Sequence, residues 1–305
     1  MADTEAPSIS VIIPTLNASG LLDTIVKAIR GQLMAVCEII VIDSASEDNS
    51  AAKAAELGCK VIKIDRKVFN HGSTRNVAAA EASGDVIIFM TQDAVPADNR
   101  LTQELIAPLR DPQTAASYAR QIPAADASPV EKFSRQFNYP AVPALKSLEL
   151  LRKLGIKTFF FSNVCSAIKR EVFVESGGFN SVIMNEDMMF SSRLILSGYK
   201  TAYCPGAVVI HSHNYSFMKQ FKRNFDIGVS LNEGRLLKYA SPAGEGLRYL
   251  RQGAAMLLKE GNLYWLIYFI VDACFRYAGY AMGIRYNTLP KQFRRWMSAH
   301  PFYFS

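Results

Sequence analysis

Glu186 and Asp187 stand side by side at the head of an amphipathic stretch that runs to about Leu196, and paired carboxylates are a simple way to build a general base. The helix dipole alone also favours acids in a first turn, so the pair reads as catalytic only if other residues supply something for it to act on. Several do. His211 and His213, two of the chain's 4 histidines, follow the apolar run 208–210. A spacing of two puts both on one side of an extended segment, and imidazole is a frequent ligand of transition metals. A strand-end histidine that is merely hydrogen-bonded is the alternative. Asp93 ends the polar step Thr91-Gln92-Asp93, and one carboxylate plus a diphosphate is a normal environment for Mg²⁺ or Mn²⁺. Arg75 offers a cation to the same phosphates.

These groups need a scaffold, and the first half of the chain describes one. Short apolar runs at 8–13, 38–42, 60–64 and 85–90 alternate with helical patterns at about 18–34, 48–57 and 73–82. Continuous apolar strands separated by helices predict a parallel sheet covered on both faces. Ligands of such sheets bind beyond the carboxyl ends of the strands. That edge collects 14–17 with Thr15 and Asn17, 43–46 with Asp43, 69–76 with Gly72 and Arg75, and 91–94 with Gln92 and Asp93. Each segment alone has a plain explanation, Asp43 starting a turn, Ser46 capping one helix and Ser73 or Thr74 the next. Four polar segments on one edge read instead as a nucleotide-binding rim. Neither a dinucleotide glycine fingerprint nor a phosphate-cradling Gly-rich loop with Lys and Ser/Thr is present, which argues against NAD, FAD and the common ATPase chemistries.

With 305 residues, half of them hydrophobic, the chain can bury one large α/β domain with an appendage. The net charge of +7 arises mostly in the second half, where Arg and Lys alternate with aromatics, as in the tail KQFRRWMSAHPFYFS. That mixture suits an anionic membrane surface; no nucleic-acid motif accompanies it. The stretch 263–284 is long enough to span a bilayer, but Asp272 and Arg276 lie within it, four apart on one helix face and able to pair. An amphipathic helix on a membrane or against another subunit is therefore expected, with a two-helix extension of the core as the alternative. The middle segment, 128–158, reads as helical pieces and loop, and the aromatic run 159–161 as core, with an acceptor-facing position for 159–163 as the alternative. The 5 cysteines are scattered without metal-ligand spacing, as expected of thiols in a reducing compartment. The acidic, polar start is no signal peptide, which places the protein in the cytoplasm, peripheral to the inner face of the membrane if the basic tail binds lipid.

SVIIPTLN, EIIVIDSASEDNS, GDVIIFMTQDA, GGFN and then NED resemble, in order and spacing, the inverting family 2 glycosyltransferases of the GT-A fold. FNHGSTRN and HSHNYS resemble more narrowly the bacterial rhamnosyltransferases that use dTDP-L-rhamnose. The likeness covers about residues 8–215, continues in KQFKRNFDIGVS and leaves the remainder unaccounted for, which suggests a GT-A domain at 1–215 and a helical, basic and aromatic extension at 216–305. The resemblance implies that Thr15, Asn17 and Asp43 contact nucleobase and ribose, that Gly72 and Arg75 neighbour base and diphosphate, and that Gln92 and Asp93 belong to the metal segment. It implies Asp187 as general base with Glu186 beside it, and a histidine ligand at His211 or His213. The chain departs from the family where the first acid of the metal segment is Thr91. The expected reaction is metal-dependent, inverting transfer of L-rhamnose to a cell-surface polysaccharide or its polyprenyl-diphosphate-linked precursor. The competing expectations are another nucleotide sugar on the same fold, or a non-catalytic, membrane-associated sugar-nucleotide-binding scaffold.

Overall fold

The computed structural model describes residues 6–239, 241 and 243–304; the start read above as no signal peptide falls largely outside them, as does the last residue of the tail. Nine strands occur in the described residues: β1 (Ile9–Thr15), β2 (Glu38–Asp43), β3 (Lys60–Lys63), β4 (Val86–Met90), β5 (Val95–Pro96), β6 (Thr114–Ile122), β7 (Ala144–Lys146), β8 (Cys165–Lys169) and β9 (Lys200–Ile210). The α-helices are α1 (Ser19–Arg30), α2 (Ser50–Glu56), α3 (His71–Ala80), α4 (Leu101–Ile106), α5 (Pro129–Asn138), α6 (Leu151–Leu154), α7 (Arg170–Glu175), α8 (Glu186–Leu196), α9 (Phe217–Glu233), α10 (Ala243–Lys259), α11 (Leu263–Ile284) and α12 (Lys291–Met297).

The sheet order is β3-β2-β1-β4-β8-β6-β9-β5, with β7 beside β9. The first four strands are parallel, as their continuous apolar runs predict. Antiparallel β8 sits between β4 and β6, and β6 runs parallel to β9, so the sheet is mixed beyond its fourth strand. Alternate residues of β1 serve opposite faces. Ile9, Val11 and Ile13 pack with Leu22, Ile25, Val26 and Ile29 of α1, while Ile12 joins Ala78 of α3 and Phe190 of α8 on the other side. The spacing 22, 25, 26, 29 is one helical face, and α1 stops at Gly31, sooner than 34. The α3 helix also begins earlier than the sequence suggests. Its cap is Asn70, whose side chain accepts from the amides of Gly72 and Ser73, rather than Ser73 or Thr74.

Within the aromatic run Phe159 and Phe161 are buried, as expected of core residues, whereas Phe160 keeps an edge on a cavity. The 263–284 stretch is a single helix, α11, and its Asp272 and Arg276 do pair, at 2.5 Å. It packs along α9 through glycines. A Cβ on Gly279 would lie 2.2 Å from the carbonyl oxygen of Phe221, and one on Gly283 2.1 Å from that of Phe225, so backbone meets backbone. The side turned away exposes Leu263, Tyr264, Ile267, Ile270 and Tyr277. No helix among the described residues is long and apolar enough to cross a membrane. The tail folds back, and Met297 and Phe304 join Ile183, Met184 and Phe225 in a small core. All five cysteines are free; Cys59, Cys165 and Cys204 are buried, whereas Cys37 and Cys274 are exposed.

Candidate active site

The carboxylate pair opens α8 as the sequence suggests, and the backbone is bent to place it. Asn185, the residue before the helix, adopts a left-handed conformation with φ 61°, an uncommon choice for a non-glycine residue. Asn163, just before β8, then holds both acids. Its backbone amide donates to Asp187 Oδ2 at 3.0 Å and its side-chain amide to Glu186 Oε1 at 3.1 Å. Asn163 is itself fixed by Ser166, whose hydroxyl donates to its Oδ1 at 2.9 Å. The two acids differ sharply in what surrounds them. Glu186 is 6% exposed and lies 3.2 Å from Arg75 Nη1. Burial alone would raise its pKa, but Arg75 outweighs that and holds it low. Asp187 makes no ion pair among the described residues; burial, and then the charge of Glu186, push it up to about 7 against a weaker pull from Arg75. One carboxylate is locked ionised, and its neighbour is poised to exchange a proton near neutrality.

Asp93, His211 and His213 converge as the sequence anticipates. One ligand atom from each lies within 4.8 Å of the others. Nε2 of His211 is 3.4 Å from Asp93 Oδ1, Nε2 of His213 is 3.1 Å from Asp93 Oδ2, and the two Nε2 atoms are 3.1 Å apart. The tautomer of His211 follows from its neighbours. Arg135 Nη1, which can only donate, contacts Oε1 of Gln121, so that oxygen is an acceptor. His211 Nδ1 lies 3.0 Å from the same oxygen and must carry its proton. Neutral His211 therefore turns the lone pair of Nε2 toward Asp93 and His213. Burial lowers the pKa of His211 in spite of Asp93, which keeps the ring in this neutral form. Burial would raise Asp93, but the hydrogen bond from His213 Nε2, at 3.1 Å, opposes it, and the carboxyl stays far below the usual carboxylate range. A lone pair and a carboxylate aimed at one point form a donor set that fits a divalent cation.

The strand-end rim is stitched to itself. Asp43 is 2% exposed, with Oδ2 accepting from Ser46 N at 3.0 Å and Oδ1 from Ser46 Oγ at 2.5 Å. Thr15 donates to its own strand's Ile13 carbonyl at 3.1 Å. Asn17, left-handed at φ 51°, accepts from Glu47 N at 2.8 Å. Gln92 clasps the Leu16 backbone, accepting from its amide at 2.7 Å and donating to its carbonyl at 3.0 Å. Gly72 is buried because a Cβ there would come within 2.1 Å of the Asn180 carbonyl oxygen. Of the residues anticipated from the sequence, Arg75, Asp93, Glu186, Asp187, His211 and His213 line a common cavity of about 440 Å³; Thr15, Asn17, Asp43, Gly72 and Gln92 are not among its lining residues.

Sequence reasoning missed the far wall. Arg135 on α5, Arg223 on α9 and Arg276 on α11 face the same cavity, together with Gln121 and Phe160. It also missed a chain of three side chains behind the carboxylates. His71 Nε2 is 3.3 Å from His300 Nε2, and His300 Nδ1 is 3.0 Å from Asp226 Oδ2. Asp226, fully buried, also accepts from Ser298 Oγ at 2.7 Å and Ala299 N at 3.0 Å, which pins the C-terminal tail beside α3. Burial lowers His71 to about 4, so its ring is neutral next to Glu186. His71 and His300 are 229 residues apart, and no local pattern announces such a contact.

Comparisons with known proteins identify the family. The pattern of glycosyl transferase family 2 matches residues 10–177. The chain is 39% identical over 302 residues to the O-antigen chain rhamnosyltransferase RfbN of Salmonella typhimurium (strain LT2), covering 97% of this chain and 96% of that one. It is 35% identical over 304 residues to the O-antigen chain rhamnosyltransferase WbaN of Salmonella anatum, covering 98% and 96%. Among solved structures, a mannosyltransferase from Pyrobaculum calidifontis in complex with GDP-Man and Mn²⁺ superposes with a TM-score of 0.64 at 18% identity, over 94% of this chain and 89% of that one, a likeness of fold. With a family pattern across more than half its length, two full-length relatives and a GT-A architecture, the chain belongs to glycosyl transferase family 2 and is a glycosyltransferase.

Proposed function

We propose that the enzyme transfers L-rhamnose from dTDP-L-rhamnose to a saccharide of a surface polysaccharide or of its lipid-linked precursor, with inversion at the anomeric carbon. The observation that carries the reaction type is the poised Asp187 in the same cavity as the Asp93, His211 and His213 triad. The full-length similarity to two O-antigen chain rhamnosyltransferases supports the sugar.

The chain's own groups account for most of the work. An acceptor hydroxyl is a poor nucleophile until its proton leaves, and Asp187, ionised above about pH 7, takes that proton as the oxygen attacks. A single displacement of this kind inverts the centre. Glu186 stays charged beside Arg75, raises the basicity of Asp187 and, with it, is fixed by Asn163. Asp93, His211 and His213 would hold the cation, and two imidazoles favour Mn²⁺ over Mg²⁺. When bound, that ion neutralises charge developing on the leaving diphosphate, so no protein acid is required there. Arg135, Arg223 and Arg276 add positive charge to the wall the diphosphate would face. The rim formed by Thr15, Asn17, Asp43, Gly72 and Gln92 would meet the base and ribose.

Incubation of the purified enzyme with Mn²⁺ and a panel of dTDP-, UDP- and GDP-sugars tests the donor. Release of free dTDP from dTDP-L-rhamnose well above release from every other donor is expected. A preference for a UDP- or GDP-sugar would overturn the donor while leaving fold and reaction type in place.

A further inference from the structure

The polar chain behind the carboxylates runs from the C-terminal tail to the catalytic cavity. It begins at Asp226 on α9, which is fully buried and meets no arginine or lysine among the described residues. Three donors of the tail fill its carboxylate. Ser298 Oγ reaches Oδ1 at 2.7 Å, while Ala299 N and His300 Nδ1 both reach Oδ2 at 3.0 Å. Ser298 Oγ also accepts from His300 N at 2.8 Å, which fixes the backbone that carries the ring. With Oδ1 accepting from a hydroxyl and Oδ2 from a backbone N–H, the carboxylate is in its acceptor role, and His300 Nδ1 carries the proton between them.

Nε2 is then the nitrogen that His300 turns to His71, whose own Nε2 lies 3.3 Å away with the rings edge to face. Two imidazole nitrogens at that distance need a single proton between them, since two lone pairs repel and two N–H groups collide. That shared proton fixes the rotation of the His71 ring. His71 opens α3, and its other contacts lead to the acids. Its carbonyl accepts from Arg75 Nη1 at 2.8 Å, Arg75 lies 3.2 Å from Glu186 Oε1, and Asn163 joins Glu186 to Asp187. The His71 side lines the cavity together with Arg75, Glu186 and Asp187. Held neutral by burial, the ring adds no second cation beside Glu186, so the charge of Glu186 stays felt by Asp187. The tail does not need this contact to stay docked. Tyr303 Oη donates to Glu233 Oε2 at 2.7 Å, and Met297 and Phe304 sit in the small core with Phe225.

We propose that Asp226 and His300 are positioning residues of the transfer reaction: through the hydrogen bond to His71 they hold its ring beside Arg75 and Glu186, and so make the docked tail part of what keeps Asp187 a base. The assignment rests on the reading of Asp187 as that base, and it adds two residues that lie outside the 10–177 stretch matched by the family pattern.

The His300 side chain is 34% exposed, so His300→Ala opens a hole that imidazole can enter from solvent. Turnover is read as release of free dTDP from dTDP-L-rhamnose with Mn²⁺. His300→Ala should lose roughly tenfold in kcat, the scale of one lost hydrogen bond, with dTDP affinity by calorimetry unchanged. Added imidazole should restore most of that loss. His300→Phe keeps a ring in place, and it should lose as much, remain folded and ignore imidazole. With 4 histidines in the chain, each ring can be assigned in ¹⁵N nuclear magnetic resonance, a readout independent of turnover. Asp226→Asn should move the Nε2 signal of His71 as well as that of His300. Near-normal kcat in His300→Phe, a His300→Ala loss that imidazole leaves untouched, or a His71 signal indifferent to Asp226→Asn overturns the proposal. If the wild-type enzyme consumes a UDP- or GDP-sugar instead, the donor reading alone fails and the same ratios are measured with that sugar.

Discussion

The strand-end rim and the wall of the cavity are built on opposite principles. In the strand-end rim, Thr15, Asn17, Asp43 and Gln92 spend hydrogen bonds on adjoining segments, at Ile13, Glu47, Ser46 and Leu16 in turn. In the wall, His211, His213, Asp187, Arg223 and Arg276 line the cavity with part of their hydrogen-bonding capacity uncommitted. A rim whose hydrogen bonds are spent internally sets shape, and a wall of incomplete ones sets reactivity, because only groups with free lone pairs or free N–H bonds have something to offer a ligand. The same contrast recurs within the carboxylate pair, where Glu186 is consumed by Arg75 and Asn163 while Asp187 keeps its basicity.

Replacing the most reactive member of the wall gives the largest effect. Asp187→Asn should lower kcat by about 10²- to 10⁴-fold while dTDP still binds, the range typical of a lost general base. Wild-type kcat should climb as pH rises through about 7, where Asp187 ionises. Stability should move the other way. The folded state holds a proton on Asp187 that the unfolded chain releases near pH 4, so ionisation of Asp187 destabilises the fold between those values. Asp187→Asn is accordingly expected to raise Tm above pH 7 and to change it little near pH 4. A Tm shift independent of pH, or near-normal kcat, would erase the distinction between the two acids.

The next effect tests whether the wall depends on what stands behind it. Gln121→Leu removes the acceptor that fixes the His211 tautomer, and Mn²⁺ affinity measured by electron paramagnetic resonance should fall about 10- to 100-fold, as when a ligand's supporting partner is lost. Unchanged Mn²⁺ affinity would mean that the tautomer is set elsewhere. The smallest effect should come from the backbone contact that carries Arg223 and Arg276 into place. Gly283→Ala puts a methyl group against the Phe225 carbonyl and should cost about 1–3 kcal/mol in chemical denaturation, raising KM more than it lowers kcat. A stability equal to wild type would show that α9 and α11 can separate without strain.

The parallel half of the sheet was legible because apolar runs of 4–7 residues bounded by turn residues have few other solutions, and the rim followed from the strand-end rule. The pairing of Asp272 with Arg276 was equally readable, being a matter of helical spacing. The insertion of β8 antiparallel between β4 and β6 was not, since nothing local tells a strand which neighbour it will meet. Gln121 escaped notice for the same reason, as did the grip of Asn163 on the two acids. An amide is unremarkable in sequence, and its importance here comes from which two groups it happens to lie between.

The sequence by itself pointed to a polar rim beyond the strand ends, to Asp93, Glu186, Asp187, His211 and His213 as the chemical residues, and to α11 as a helix with an Asp272–Arg276 pair on one face. Composition, period and spacing are local properties, and the chain carries them unfolded. Only the tertiary structure supplied the physical reason for Asp187 rather than Glu186 to be the basic member of the pair, and decided which nitrogen of His211 is free and that the C-terminal helices line the cavity. Each of those depends on burial and on charges brought within a few ångströms from segments as far apart as His71 and His300, and electrostatic energy is fixed by distance in space rather than along the chain.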